Sequence, residues 1–130
     1  MILDTAFVID VMNDDVGATE AYREFEAAGQ QQYLASVTVL ELYEGIARAV
    51  DSATERERVT DVIATRPVLP ADRTVMAKAG RISGELITEG AEIDREDCVI
   101  AATALIEAEP VVTRNVSHFE RIDGLDVRPY

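Results

Sequence analysis

The sequence lacks most of the residues that would tie it to an oxidising compartment, a membrane or a zinc site. It has no tryptophan, one cysteine and one histidine in 130 residues. The single cysteine, Cys98, excludes an internal disulfide, and we expect it to be a buried, inert thiol. No apolar run approaches the roughly 18 residues that a membrane span needs. No signal peptide precedes Asp4, so we expect a cytoplasmic protein without membrane contact.

Positive charge is scarce as well. The chain has 25 acidic residues against 12 basic ones, a formal net charge of −13, and Lys78 is its only lysine. Nucleic-acid-binding proteins usually carry a basic surface, so this balance weakens a nucleic-acid function without excluding it. An acid-rich, lysine-poor surface resembles that of proteins adapted to molar salt, where the Debye length is about 3 Å.

What is present is the composition of one folded domain. A hydrophobic content of 48% argues against disorder, and the length predicts a single domain over residues 1–130. Short apolar segments predict strands at the N-terminus, at 33–35, at 66–70 and at 110–113, with a fifth near 126–128. Helical spacing fills the intervals between them. Strands that alternate with helices predict an α/β fold with a parallel sheet covered on both faces.

The predicted helices differ in the faces they bury. One has Val39, Tyr43, Ile46, Ala47 and Val50 on one face, and the next begins with a capping box over residues 54–57. A third, from residue 72 to about 89, is amphipathic, and its glycines at 80 and 84 predict close helix packing. The segment 98–106 is apolar nearly all round, which predicts a buried central helix.

Four polar residues stand where a strand has ended or a helix begins: Asp4, Glu41, Asp97 and Asn115. Each has a structural explanation. Asp4 fits a helix cap, Thr38 and Glu41 fit a capping box, and the residue at 94 fits the cap of the helix that contains Asp97.

Considered together, the same residues predict a site. In a doubly wound sheet these positions meet at the carboxyl edge of the strands, which would bring the three carboxylates into one pocket. Like charges in one pocket raise one another's pKa and destabilise the fold unless a cation joins them. Oxygen ligands without cysteine or histidine suit Mg²⁺ or Mn²⁺. Helix N-termini around the pocket favour phosphate, so phosphodiester hydrolysis is the expected reaction class.

Four motifs carry a family resemblance. Leu3-Asp4-Thr5, Thr38-x-x-Glu41-Leu42, Asp97-x-x-Ile100-Ala101-Ala102 and Val112-Thr113-x-Asn115-x-x-x-Phe119 occur in this order. Together they resemble the PIN-domain ribonucleases, and most closely the VapC toxins of toxin–antitoxin pairs. The resemblance runs along the whole chain to residue 125. It implies a stand-alone domain with a parallel sheet in an α/β/α sandwich.

The resemblance also implies roles for individual residues. Asp4, Glu41 and Asp97 match the family's acidic metal-binding residues. Asn115 falls at the fourth site, where many members have Asp, so a second metal ion is an open question. Two small hydroxyl positions, at residues 5 and 113, assist at the same pocket. The implied protein is an Mg²⁺- or Mn²⁺-dependent endoribonuclease that cleaves RNA, forms a homodimer and is blocked by a cognate antitoxin protein.

Other polar residues are weaker candidates. His118 lies beside Phe119, outside the acidic set, and could help with the substrate. Arg95 and Arg114 could guide the RNA backbone. A surface ion pair between residues 44 and 48 is expected from their helical spacing, and Asp10 is too far along the first helix to assign.

Three alternatives come from other classes. A phospho-acceptor signalling domain needs a lysine after a late strand, whereas Lys78 lies in a predicted helix. A hydrolase that forms an aspartyl-phosphate needs a second Asp two residues after the first, where Ala6 stands. A non-catalytic PIN-like module that binds RNA or protein is the serious alternative, because Asn115 and the acidic surface are compatible with it.

Overall fold

Short strands alternate with helices along the chain. The computed structural model describes all residues 1–130. It contains β1 (Ile2–Leu3), α1 (Thr5–Met12), α2 (Val16–Ala27), β2 (Leu34–Ala35), α3 (Ser36–Arg48), α4 (Ser52–Ala64), β3 (Val68–Leu69), α5 (Arg73–Thr88), α6 (Arg95–Glu107), β4 (Val111–Val112), α7 (Val116–Phe119) and β5 (Val127–Arg128). None of the helices combines the length and the apolar character that crossing a bilayer demands.

The strands are all parallel, as the sequence predicts. β1 pairs with β4 and β4 with β5, while β2 pairs with β3. A single bridge between Ile2 and Tyr33 joins the two groups and gives the order β3-β2-β1-β4-β5. The chain order therefore reverses between β1 and β4, and ligands of open α/β sheets bind at such a point.

Helices cover both faces of this sheet. Ile2 of β1 and Val111 of β4 pack into a core with the buried faces of α5 and α6. The next residue of each strand, Leu3 and Val112, packs on the opposite side against α1, α3 and α4. Since successive strand residues point to opposite faces, these two cores make the three layers of an α/β/α sandwich. Cys98 lies buried in the first core, as expected.

Two details of the helices differ from the predictions. The buried face of α3 is made by Thr38, Leu42 and Ile46, whereas Tyr43 and Val50 are exposed. The helical period is as predicted, but a different face of the helix is buried. Valine and tyrosine on the solvent side have the same spacing as a buried apolar face. At α4, the cap is residue 51 and not residue 54.

The glycines of α5 do not support close helix packing, so that prediction is wrong. A methyl group built on Gly80 or Gly84 would meet nothing within 4 Å. The packed face of α5 is instead made by Val75, Ala79, Ile82 and Leu86. The two glycines line an open groove along α5 and the start of α6.

Candidate active site

Asp4 lies where the strand order reverses. It follows β1 directly and occupies the cap position of α1, yet its side chain makes no capping hydrogen bond there. Its Oδ2 instead accepts a hydrogen bond of 2.7 Å from the hydroxyl of Thr113, which follows β4. Burial raises the pKa of Asp4, and the bond from Thr113 and the backbone N–H groups of Thr5 and Ala6 act in the opposite direction. Asp4 is therefore held across the switch point and is not a helix cap.

Glu41 approaches from α3 and is held by a threonine of α1. Its Oε1 accepts a hydrogen bond of 2.7 Å from the hydroxyl of Thr5, and the hydroxyls of Thr5 and Thr38 are 2.9 Å apart. A hydroxyl has one hydrogen, so with that of Thr5 given to the carboxylate, Thr38 donates to Thr5. Burial raises the pKa of Glu41, with a further contribution from the charge of Asp4.

The proposed capping box at Thr38 is wrong, because α3 begins at Ser36 and has no side-chain cap. A threonine inside a helix often donates to the carbonyl four residues earlier, as Thr103 does to Val99 at 2.8 Å. Thr38 is fully buried and bonds across to Thr5 on another helix. It therefore supports Glu41 from behind, a role that the sequence pattern did not reveal.

Asp97 lies in the first turn of α6 and is 9% exposed. Burial raises its pKa to about 6, and the negative charges of Asp4, Asp94 and Glu41 act in the same direction. The structure thus brings Asp4, Glu41 and Asp97 to one edge of the sheet, and we call them the edge carboxylates. Asp94 occupies the cap position of α6 without a side-chain capping bond, so its prediction as a cap is wrong in that respect.

His118 lies on α7 beside the acidic set, not outside it. Its Nδ1 is 3.7 Å from Oδ2 of Asp97. The same nitrogen is buried and has no hydrogen-bond partner. The interval of 21 residues along the chain gave no sign of this proximity, because it depends on how α7 packs against the start of α6.

Asn115 stands at the same edge but joins the site through its backbone. Its N–H donates to the hydroxyl of Thr113 at 2.9 Å, and Thr113 in turn donates to Asp4. The side chain of Asn115 is exposed and makes no capping bond at the start of α7. Asn115 therefore lies next to the edge carboxylates with its amide group free.

The arginines proposed to guide a substrate differ in their surroundings. Arg114 forms ion pairs with Asp10 at 2.8 Å and with Asp15 at 3.7 Å, and it lies over the ring of Tyr130. Asp10 also accepts a hydrogen bond of 2.6 Å from the Tyr130 hydroxyl. These residues form a separate cluster that occupies Arg114. Arg95, the first residue of α6, is exposed and has no ion pair.

No lysine or arginine forms an ion pair with an edge carboxylate. The one basic side chain paired with an edge carboxylate is His118, whose Nδ1 lies 3.7 Å from Oδ2 of Asp97. The expected surface pair between Glu44 and Arg48 is confirmed at 3.8 Å, with both side chains exposed, and lies apart from the site. The negative charge at this edge of the sheet is therefore not balanced by the chain itself.

The edge carboxylates fit a hydrated divalent cation. No three acidic, histidine or cysteine side chains are arranged to hold one metal ion directly. Mg²⁺ keeps several waters and usually binds proteins through one or two carboxylates, so this does not count against it. The donor atoms are all oxygens, they are partly or fully buried, and their negative charges repel one another. A divalent ion would offset that charge while binding partly through water.

Comparisons with known proteins give one consistent family. The family model of the PIN domain matches residues 1–125. "Ribonuclease VapC1" of Rickettsia felis is 28% identical over 131 residues, covering 98% of this chain and 93% of that protein. "tRNA(fMet)-specific endonuclease VapC" of Salmonella typhimurium is 29% identical over 97 residues, covering 75% and 74%. The crystal structure of DNA-bound VapBC from Salmonella typhimurium superposes with a TM-score of 0.89 at 26% identity, covering 98% and 96%.

Proposed function

The chain belongs to the PIN-domain family, and on that premise we propose that it is a metal-dependent endoribonuclease that acts as the toxin of a toxin–antitoxin pair. The observation that carries the proposal is the set of edge carboxylates at the sheet's switch point. They come from the end of β1, from α3 and from α6, their pKa values are raised, and no lysine or arginine forms an ion pair with them. Relatives with the name ribonuclease VapC support the same activity.

In this proposal Asp4 and Asp97 hold Mg²⁺ or Mn²⁺, directly or through water, and Glu41 completes the set. A bound ion of this kind lowers the pKa of a coordinated water and offsets charge at the scissile phosphate. Asn115 stands beside the set with a neutral amide, so the chain offers one carboxylate fewer than the family members that have Asp at this position.

The rest of the chemistry belongs to the chain's own residues. Thr113 and Thr5 each hold one carboxylate oxygen through a hydrogen bond of 2.7 Å, which fixes the orientation of Asp4 and Glu41. Arg95 is the exposed cation nearest in sequence to Asp97, and we assign it the task of contacting the RNA backbone. Because Asp4 and Glu41 are already held in place, these carboxylates need to move less during the reaction.

Two partners follow from the proposed function. Structures of related VapBC assemblies support a cognate antitoxin as a partner, and we propose that it covers the site. We also propose a homodimer, by analogy with the family. The substrate class is RNA, and the name of the Salmonella typhimurium relative makes an initiator tRNA a sensible first substrate to test.

The proposal is tested by RNA cleavage with purified protein at fixed high ionic strength. An initiator tRNA and an unstructured RNA of equal length are incubated with Mn²⁺, with Mg²⁺ and with EDTA. We expect cleavage with a divalent ion and none with EDTA, and inhibition when the antitoxin encoded beside the toxin is added. Cleavage that persists in EDTA would contradict the metal assignment.

A second outcome distinguishes the alternative function. If neither RNA is cleaved under any metal condition, yet the protein binds RNA or a protein partner with measurable affinity, the chain is a non-catalytic PIN-like module. The net charge of −13 makes high salt the correct condition for this decision, because salt screens repulsion between the protein and the RNA.

A further inference from the structure

One buried nitrogen near the site has no partner. Nδ1 of His118 is inaccessible to solvent and makes no hydrogen bond, although it lies 3.7 Å from Oδ2 of Asp97. Buried polar atoms in folded proteins are nearly always hydrogen-bonded, so an isolated one calls for an explanation. The short helix that carries His118 also carries Phe119, which is fully buried and anchors the helix. The position of His118 is therefore fixed by packing.

Each of the other two edge carboxylates is held by a neighbouring hydrogen-bond donor. Asp4 accepts a hydrogen bond from Thr113, and Glu41 accepts one from Thr5. In each case an uncharged donor holds one oxygen of the carboxylate and leaves the other without a side-chain partner. Asp97 has no hydroxyl neighbour of this kind. His118 is the one side chain placed to serve it.

We infer that His118 is the positioning residue of Asp97, with its Nδ1–H directed at Oδ2 of that carboxylate. An Nδ1 without a proton would set its lone pair against the carboxylate, which is repulsive, so the proton belongs on Nδ1. A hydrogen bond spans about 2.7–3.2 Å, so a small rotation of either side chain closes the gap. The importance of this bond for catalysis rests on the proposed function, but the bond itself does not.

The inference separates the two nitrogens of the ring. If His118 acts through Nδ1, it orients Asp97 as the hydroxyls orient Asp4 and Glu41. If it acts through Nε2, it contacts the substrate and leaves Asp97 alone. Two substitutions distinguish these cases, because the amide nitrogen of Asn occupies the place of Nδ1 and that of Gln the place of Nε2.

The first measurement needs neither metal nor RNA. His118 is the only histidine in the chain, so its ring nitrogens give unambiguous signals in ¹⁵N NMR of the whole protein. At alkaline pH, where the ring is neutral, we expect the Nδ1–H tautomer in the metal-free wild type and a shift toward Nε2–H in Asp97→Asn. Free histidine in water favours Nε2–H. That tautomer in the wild type would overturn the inference.

The second measurement is the Mn²⁺ affinity by calorimetric titration. We expect His118→Asn to keep the wild-type affinity and His118→Gln to lose on the order of tenfold, as for other groups that orient metal-binding side chains. Ser117→Asn, which places the same amide on the same helix at an exposed position, is the matched control. Equal affinity in His118→Asn and His118→Gln would overturn the inference.

The two proposals fail in different ways. If the tautomer and the order of affinities are as expected but the wild type cleaves no RNA, the ribonuclease function is wrong and the positioning role stands. If the wild type cleaves RNA while the tautomer is Nε2–H and His118→Gln binds Mn²⁺ normally, the function stands and the positioning role is wrong.

Discussion

Two sets of acidic residues stand at helix starts in this molecule, and their hydrogen bonds differ. Asp15, Asp51 and Asp72, the capping aspartates, each accept a bond of 3.0–3.1 Å from the backbone N–H three residues later. Asp4 and Asp94 occupy the equivalent positions of α1 and α6 and accept none. In sequence the two sets look alike, since each precedes a helix.

The capping aspartates and the edge carboxylates also differ in their electrostatics. A side-chain hydrogen bond from Thr54 lowers the pKa of the exposed Asp51. Burial raises the pKa of Asp4 in spite of hydrogen bonds from Thr113 and from nearby backbone N–H groups, and it raises the pKa of Asp97 in spite of the contact with His118. A helix start normally stabilises a carboxylate, so a carboxylate that is buried there without capping the helix is kept for another interaction. In this fold that interaction is the proposed divalent ion.

The largest difference between the edge carboxylates and the capping aspartates should appear in catalysis. We expect Asp4→Asn and Asp97→Asn to lower RNA cleavage by at least about a hundredfold, since several kcal/mol of transition-state stabilisation depend on the ion and about 1.4 kcal/mol corresponds to tenfold. Asp72→Asn is the matched control and should cleave normally, because Asn caps as well as Asp. Circular dichroism on the same samples verifies the fold. Retained cleavage in Asp97→Asn would contradict the site.

The pH dependence of stability should distinguish the edge carboxylates from the capping aspartates. The pKa of Asp97 rises from 3.8 to about 6 on folding. Between these values the unfolded chain releases the proton that the folded chain keeps, so stability is lost as the pH rises through about 6. We expect the metal-free wild type to melt several degrees below Asp97→Asn above pH 6, with no gap below about pH 4. A constant difference in Tm across this range would contradict the raised pKa.

Removal of the carboxylates from two cap positions should sharpen the contrast. Asp72→Ala deletes a capping bond and should cost about 1 kcal/mol of unfolding free energy. Asp94→Ala deletes no such bond and removes a charge that opposes ionisation of Asp97, so it should cost less. Denaturant unfolding in EDTA measures both. Equal losses would mean that Asp94 caps α6 in solution.

The smallest expected effect concerns Asn115. Asn115→Asp adds a carboxylate beside the edge set and should tighten Mn²⁺ binding, by an amount that calorimetric titration can resolve. The side chain is exposed and makes no capping bond, so the fold should not change. Unchanged or weaker affinity would place Asn115 outside the reach of the ion.

Much of this architecture could be predicted from the sequence. The alternation of short apolar segments with helical periods determined the parallel α/β arrangement, and the apolar segment from residue 98 correctly predicted a central buried helix. The position of Asp4 followed from the geometry of parallel sheets, because the carboxyl ends of the strands share one edge, whereas Glu41 and Asp97 reach that edge from α3 and α6. For these features the local sequence pattern was enough to predict the arrangement in the fold.

The hydrogen bonds of the site could not be predicted in this way. Thr38 resembled the start of a capping box, and only the packing of α1 against α3 shows that its hydroxyl serves Thr5. His118 lies 21 residues from Asp97 in sequence, so no local pattern connects them. Gly80 and Gly84 resembled a packing motif because spacing alone does not reveal which face of a helix is covered.

The central claim is that the edge carboxylates form one divalent-ion site, and thermal melting tests it without any substrate. Wild type, Asp97→Asn and Asp72→Asn are melted at fixed high ionic strength, first in EDTA and then in Mn²⁺. An ion that binds only the folded state adds about 2.7 kcal/mol at a hundred times Kd, on the order of 8 °C for a domain of this size. We expect that gain in wild type and in Asp72→Asn. Asp97→Asn should melt higher than wild type in EDTA and gain less from Mn²⁺. An equal Mn²⁺-induced shift in all three proteins would contradict the claim.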